Sequence, residues 1–110
     1  MSAALWPITA RIAALLNQAN GSDQHETAMR LLKVVEEAGE ASAGYIGMTG
    51  QNPRKGTTHA PEDVADELCD VIIAAAVALH SFTPHAPHRL ESKLRAAARR
   101  LQSAHAVKER

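Results

Sequence analysis

Leu31, Val34, Val35, Ala38, Ala41 and Tyr45 recur at steps of three and four through an unbroken stretch between Asp23 and Gly47. That spacing fixes an amphipathic α-helix with one face in search of a partner. The same period governs the rest of the chain. Ile8, Ile12, Leu15 and Leu16 mark a first helix from about Pro7 to Gln18, ended by Asn20-Gly21. The second helix starts at Ser22 or Asp23, either of which can cap it, and runs to about Ile46. Pro61 suits the first turn of a third helix, where its missing N–H costs nothing, and Glu62 and Asp63 favour the positive helix start. This helix continues through Val64, Leu68, Val71, Ile72, Ala75 and Leu79 to about Phe82, where Thr83-Pro84-His85-Ala86-Pro87 breaks it. A fourth, from about His88 to Val107, carries Leu90, Leu94, Ala97, Ala98 and Leu101.

No alternating period and no internal repeat interrupts this pattern, so the expected architecture is all-α, a four-helix bundle in a single domain over residues 1–110. Composition agrees. Trp6, Tyr45 and Phe82 are the only aromatic residues, so Ala, Leu, Val and Ile supply the packing, as close-packed helices require. The four helices carry a small core for their length.

Charge and cysteine narrow the function classes. With 12 basic and 12 acidic residues the formal net charge is zero, which argues against holding nucleic acid by bulk electrostatics. Acid gathers between Glu36 and Asp70, whereas Arg89, Lys93, Arg95, Arg99, Arg100 and Lys108 make the tail to Arg110 basic. Their interleaving with Leu and Ala fits a solvated helix face better than a nucleic-acid or membrane arm. Cys69 is the only cysteine, so no intramolecular disulfide forms and a reducing cytoplasm is the expected setting. Lying between Glu67 and Asp70, whose charges disfavour a thiolate, Cys69 is expected to be a small buried apolar residue. Residues 1–20 have no basic segment leading into a long apolar stretch, and the run from Val71 to Leu79 is far short of the roughly 20 residues a membrane span needs.

The chemistry lies in two acidic pairs, Glu37/Glu40 and Glu67/Asp70, each separated by about one helical turn. On a helical projection Glu37 flanks the apolar stripe of the second helix by about 80°, Glu40 lies further round and Glu36 points away. Glu67 flanks the stripe of the third helix, with Asp70 beyond it. Glu37, Glu40, Glu67 and Asp70 are therefore the convergent set. Glu36 is an outer group, a water-orienting base or a solvent-facing charge. Acidic residues on amphipathic helices are ordinarily just the polar face, but four carboxylates brought together repel unless a cation joins them.

The donor atoms choose the cation. None of the six His residues lies three after a Glu, which removes the Glu-x-x-His half of a di-iron bundle site. His85 and His88 sit in a Pro-rich connection, where solvent exposure is expected rather than zinc ligation. All-oxygen ligation favours Mg²⁺, with Mn²⁺ as the alternative, and both bridge to phosphate oxygens.

The pattern Glu36-Glu37-x-x-Glu40, then Glu67-x-x-Asp70 followed by Val71 and Ile72, resembles the MazG-like all-α nucleoside triphosphate pyrophosphohydrolases over about residues 25–100. The resemblance implies hydrolysis of a nucleoside triphosphate between the α- and β-phosphates, with Glu37, Glu40, Glu67 and Asp70 as Mg²⁺ ligands. Glu36, or the ligand Glu37, would accept a proton from the attacking water. It further implies a nucleotide-pool house-cleaning role in the cytoplasm and assembly as a homodimer or homotetramer, with no nucleic-acid or membrane partner. Lys93 matches the Lys of a downstream Lys, Asn, Arg pattern and is a candidate substrate contact; Arg100 matches the Arg, but Ala97 replaces the Asn. The loop over residues 47–60, with Gly47, Gly50, Pro53 and Gly56, supplies two further candidates, Arg54 and Lys55, as donors to the triphosphate. Trp6 and Tyr45 are expected in the core rather than stacked on a base. The alternative reading is a non-catalytic helical bundle of this kind, binding nucleotide or a partner protein through its acidic face.

Overall fold

The computed structural model describes residues 4–109, and the side chains of residues 4–106. Lys108 and Arg110 of the basic tail lie outside the described side chains. Four helices follow one another: α1 (Leu5–Asn20), α2 (Gln24–Thr49), α3 (Pro61–His80) and α4 (Ala86–Glu109). No strand occurs among the described residues.

The helix ends have local causes. Asp23 caps α2, its Oδ1 accepting from the Glu26 N–H at 2.9 Å. Gly50, at φ 68°, ends the same helix in the left-handed conformation that favours glycine. At the start of α3 Pro61 takes the first helical position, and Asp63 Oδ2 accepts from the Ala60 N–H at 2.8 Å. The chain then returns along α2 because Gly47 allows it. A Cβ at Gly47 would run into the Thr58 hydroxyl and the His59 ring, and the Thr58 N–H donates to Gly47 O at 2.9 Å.

α3 is the central element, packed along α2 on one side and α1 on the other. The face that α2 turns inward is Arg30, Val34, Glu37, Ala41 and Gly44, at alternating steps of four and three. α3 answers with Val64, Glu67, Val71, Ala74 and Ala78. This corrects the expected core. Of the stripe expected to be buried on α2, Leu31, Val35, Ala38 and Tyr45 are exposed, as are Leu68, Ile72 and Ala75 on α3 and Ile8 and Leu15 on α1. Small side chains let the two helices approach closely, so the chain buries its small-residue faces against each other and leaves the bulkier faces outside.

Two polar ties hold the bundle ends. The buried Arg30 guanidinium donates to Glu26 Oε2 at 3.0 Å, Ser81 Oγ at 3.1 Å and Gly21 O at 3.3 Å, joining the α1–α2 turn, α2 and the end of α3. Thr9, also buried, donates its hydroxyl proton to Leu5 O at 2.7 Å, so the 2.9 Å bond between Thr9 Oγ1 and His80 Nε2 has the imidazole as donor. Trp6 packs edge-on against the same His80 ring, with centroids 5.8 Å apart. Tyr45, by contrast, is outside the core.

α4 touches the rest of the fold chiefly through α3. Ala86 at its start is buried, while Leu90, Leu94 and Leu101 are exposed. The radius of gyration is 17.7 Å, against about 13 Å for a compact chain of this length.

Candidate metal centre

Rotation of α2 and α3 away from their bulky stripes puts acid on the inside of the helix pair. Glu37, Glu67 and Asp70 each present a carboxylate oxygen within 4.8 Å of the others. Glu37 is only 8% exposed, Glu67 is half-buried and Asp70 opens to solvent. Glu37 Oε2 and Glu67 Oε2 are buried without a hydrogen-bond partner. A buried carboxylate oxygen lacking a partner is costly, and two of them in one group compound the cost unless a cation joins them.

Glu40 is exposed and stands outside this three-carboxylate group. It nevertheless feels the group. The Glu40 carboxyl is raised above its ordinary range, first by the negative charge of Glu37, then by partial loss of solvent and by the charge of Glu67. Glu36 lies on the solvent side, as the helical projection anticipates, and its Oε1 accepts from Lys33 Nζ at 2.7 Å. The same ammonium lies 3.0 Å from Glu37 Oε1. Held by two carboxylates, Lys33 keeps its proton well beyond the ordinary lysine range.

Glu37 and Asp70 border a pocket of about 210 Å³, between α1, α2 and α3. Ile12, Leu16, Ile73 and Val77 form apolar walls, and Arg30 and Lys33 add positive charge. Sequence reasoning missed both cations. Lys33 stands four residues before Glu37, a spacing that pairs opposite charges on a helix and was the one available signal. Arg30 owes its role to Gly21 and Ser81, partners distant in sequence.

The remaining candidates lie elsewhere. Lys93 borders a pocket of about 320 Å³ with Thr83, His85, His88, Arg89 and Ser92. His85 and His88 are exposed, as expected for that connection. Lys55 lines a pocket of about 280 Å³ over the last turns of α2, with Asn52, Thr58 and His59. Arg54 is exposed, and its N–H donates to Asn52 Oδ1 at 3.0 Å. His59 also approaches Gly44, where Glu67 packs, so the loop pocket and the carboxylates share the Gly44 edge of α2. Cys69 departs from expectation: it is exposed and lines an apolar groove of about 520 Å³ along α1 and α3, with Leu5, Ile8, Ile12 and Ile72. That groove has no carboxylate lining.

No helix among the described residues is long and apolar enough to cross a membrane. Comparison with known proteins finds no matching family model, no matching curated protein and no matching solved structure.

Proposed function

We propose that this chain is a Mg²⁺-dependent nucleoside triphosphate pyrophosphohydrolase of the MazG-like kind, hydrolysing a nucleoside triphosphate to a monophosphate and pyrophosphate. The observation that carries the reading is that Glu37 and Glu67, grouped with Asp70, each keep one oxygen, Oε2, buried and unpartnered. All-oxygen donors suit Mg²⁺ or Mn²⁺, and such an ion supplies charge neutralisation on phosphate oxygens and a more acidic water. Glu37, Glu67 and Asp70 would hold it, with Glu40 joining from the open side. Glu36 and Glu37 are the proposed proton acceptors. The apolar pocket bordered by Ile12, Leu16, Ile73 and Val77 suits a flat, weakly polar group beside the charged one, as in a nucleotide. Lys55 and Arg54 lie on the loop nearest the Gly44 edge and are the proposed triphosphate contacts, with Lys93 the third.

Work on a cytoplasmic nucleotide pool, by a homodimer or homotetramer, belongs to the same proposal. The decisive assay is a panel of canonical and modified nucleoside triphosphates, read for pyrophosphate with Mg²⁺ and with Mn²⁺. Asp70→Asn and Glu67→Gln should each lower release at least a hundredfold, roughly the loss expected when charge stabilisation at the reacting centre is removed, while circular dichroism stays unchanged. Full turnover in either variant would sink the assignment.

One observation favours the second reading, a non-catalytic bundle that binds nucleotide. Lys93 lies on α4, which packs chiefly on α3 and lines a pocket separate from the carboxylates, and Ala97 stands where the resemblance calls for Asn. Calorimetric binding of a nonhydrolysable nucleotide with Mg²⁺, without pyrophosphate release from the hydrolysable one, would favour it.

A further inference from the structure

Glu37 has two oxygens with different fates. Oε1 lies 3.0 Å from Lys33 Nζ, while Oε2 is buried and has no partner, and the residue belongs to the three-carboxylate group. Lys33 is itself steadied by Glu36, whose Oε1 accepts from the same ammonium at 2.7 Å. We infer that Lys33 is a positioning residue which occupies one oxygen of Glu37, so that Glu37 offers a cation a single oxygen and the centre selects Mg²⁺ over Ca²⁺. The inference rests on the proposed metal centre and adds the origin of its selectivity.

The physical reason is coordination number. Ca²⁺ takes six to eight oxygens at about 2.3–2.6 Å and gains from carboxylates that give both, whereas Mg²⁺ keeps near-octahedral geometry at about 2.0–2.1 Å and is satisfied by one oxygen from each. A carboxylate whose second oxygen is held by an ammonium cannot turn to give both without breaking that ion pair. Groups that hold a ligand in this way commonly govern metal affinity by about 10- to 100-fold. Glu36 thereby acquires a role as the brace of Lys33. Its side chain and that of Lys33 are both more than half exposed, whereas that of Glu37 is 11% exposed. The brace is on the surface and the braced oxygen is inside.

The test is titration calorimetry with Mg²⁺ alone and Ca²⁺ alone, without nucleotide, on the wild-type chain, Lys33→Met, Lys33→Arg and Glu36→Gln. Removing a positive charge strengthens binding of both divalent ions about equally, so the ratio of their affinities isolates geometry from charge. Lys33→Met should shift that ratio toward Ca²⁺ by about tenfold, Glu36→Gln should shift it less in the same direction, and Lys33→Arg should restore it. A ratio unchanged in Lys33→Met, whatever the individual affinities do, overturns the inference and leaves the metal centre standing. Binding of neither ion by the wild-type chain and by Lys33→Met overturns both. Circular dichroism of each variant keeps loss of fold distinct from loss of selectivity.

Discussion

Glu40 is where the cost of gathering acid is felt in solution. Its carboxyl is raised by Glu37 and Glu67, so the folded chain disfavours its ionised form. The sign follows from linkage: below the ordinary carboxyl value of 4.5 the group is protonated in both states and contributes nothing, and destabilisation grows as pH rises above 4.5 and is complete once pH exceeds the raised folded value. Glu40→Gln should therefore stabilise the metal-free chain at neutral pH, with the gain vanishing below pH 4.5. Saturating Mg²⁺ should reverse the order, because only the wild-type residue then gains a cation. Urea melts at the two pH values, with and without Mg²⁺, measure this, and equal metal-free stabilities at neutral pH would refute it. The acidic residues themselves were legible in the sequence, since Glu37, Glu67 and Asp70 meet as their spacing anticipates. Which of their oxygens are free was not legible, because that depends on Lys33 for Glu37 and on the α2–α3 packing for Glu67.

Among the helices, α2 carries three internal glycines, of which Gly39 and Gly47 look alike in sequence and differ most in setting. Gly39 is exposed with open space where a Cβ would stand, whereas Gly47 lies under Thr58 and His59. Gly39→Ala should stabilise the chain by about 0.5–1 kcal/mol, the helix-propensity gain alone. Gly47→Ala should cost about 1–3 kcal/mol, because the overlap with two side chains near their own backbone outweighs that gain. Thermal melts of the two variants moving in opposite directions would bear this out; a stabilised Gly47→Ala would not. Helix existence and punctuation were readable from Asp23, Pro61 and the apolar periods, and the observed ends fall within a few residues of expectation. Which face turns inward was not. The bulky period on α2 and α3 dominates any hydrophobic projection, yet Ala41, Gly44, Ala74 and Ala78 form the contact, because close helix approach depends on what is small.

The whole molecule exposes 8271 Å², about 2,400 Å² more than a compact monomer of this mass would. Covered in a dimer, that excess would come to about 4,800 Å² over two chains, within the size range of obligate interfaces. Leu31, Val35, Leu68 and Ile72 lie exposed on α2 and α3, and Leu90, Leu94 and Leu101 on α4. The proposed self-association supplies cover for them, and sedimentation equilibrium at micromolar concentration should give two or four times the chain mass of 11.8 kDa. Ile72→Glu should shift the particle toward a single chain, and a wild-type protein that is monomeric throughout would rule the assembly out. Assembly is what the family resemblance implies, and the small core fits it; that α4 would touch its own chain so little was not legible in the sequence.

The seam of Ala41 and Gly44 against Val64 and Glu67 makes α2 and α3 behave as the jaws of a caliper. Glu37 rides on one jaw, Glu67 and Asp70 on the other, so their separation is set by backbone spacing before any side chain chooses a rotamer. A Cβ at Gly44 would already stand 3.6 Å from Val64 Cγ2 and 4.0 Å from Glu67 Cγ, so the seam has room for a methyl group and no more. Any larger side chain there would widen the gap between the jaws, and the bond lengths that separate Mg²⁺ from Ca²⁺ differ by only about 0.3–0.5 Å. The smallest residues of the chain, which carry no chemistry of their own, thereby set the gauge of its most charged site.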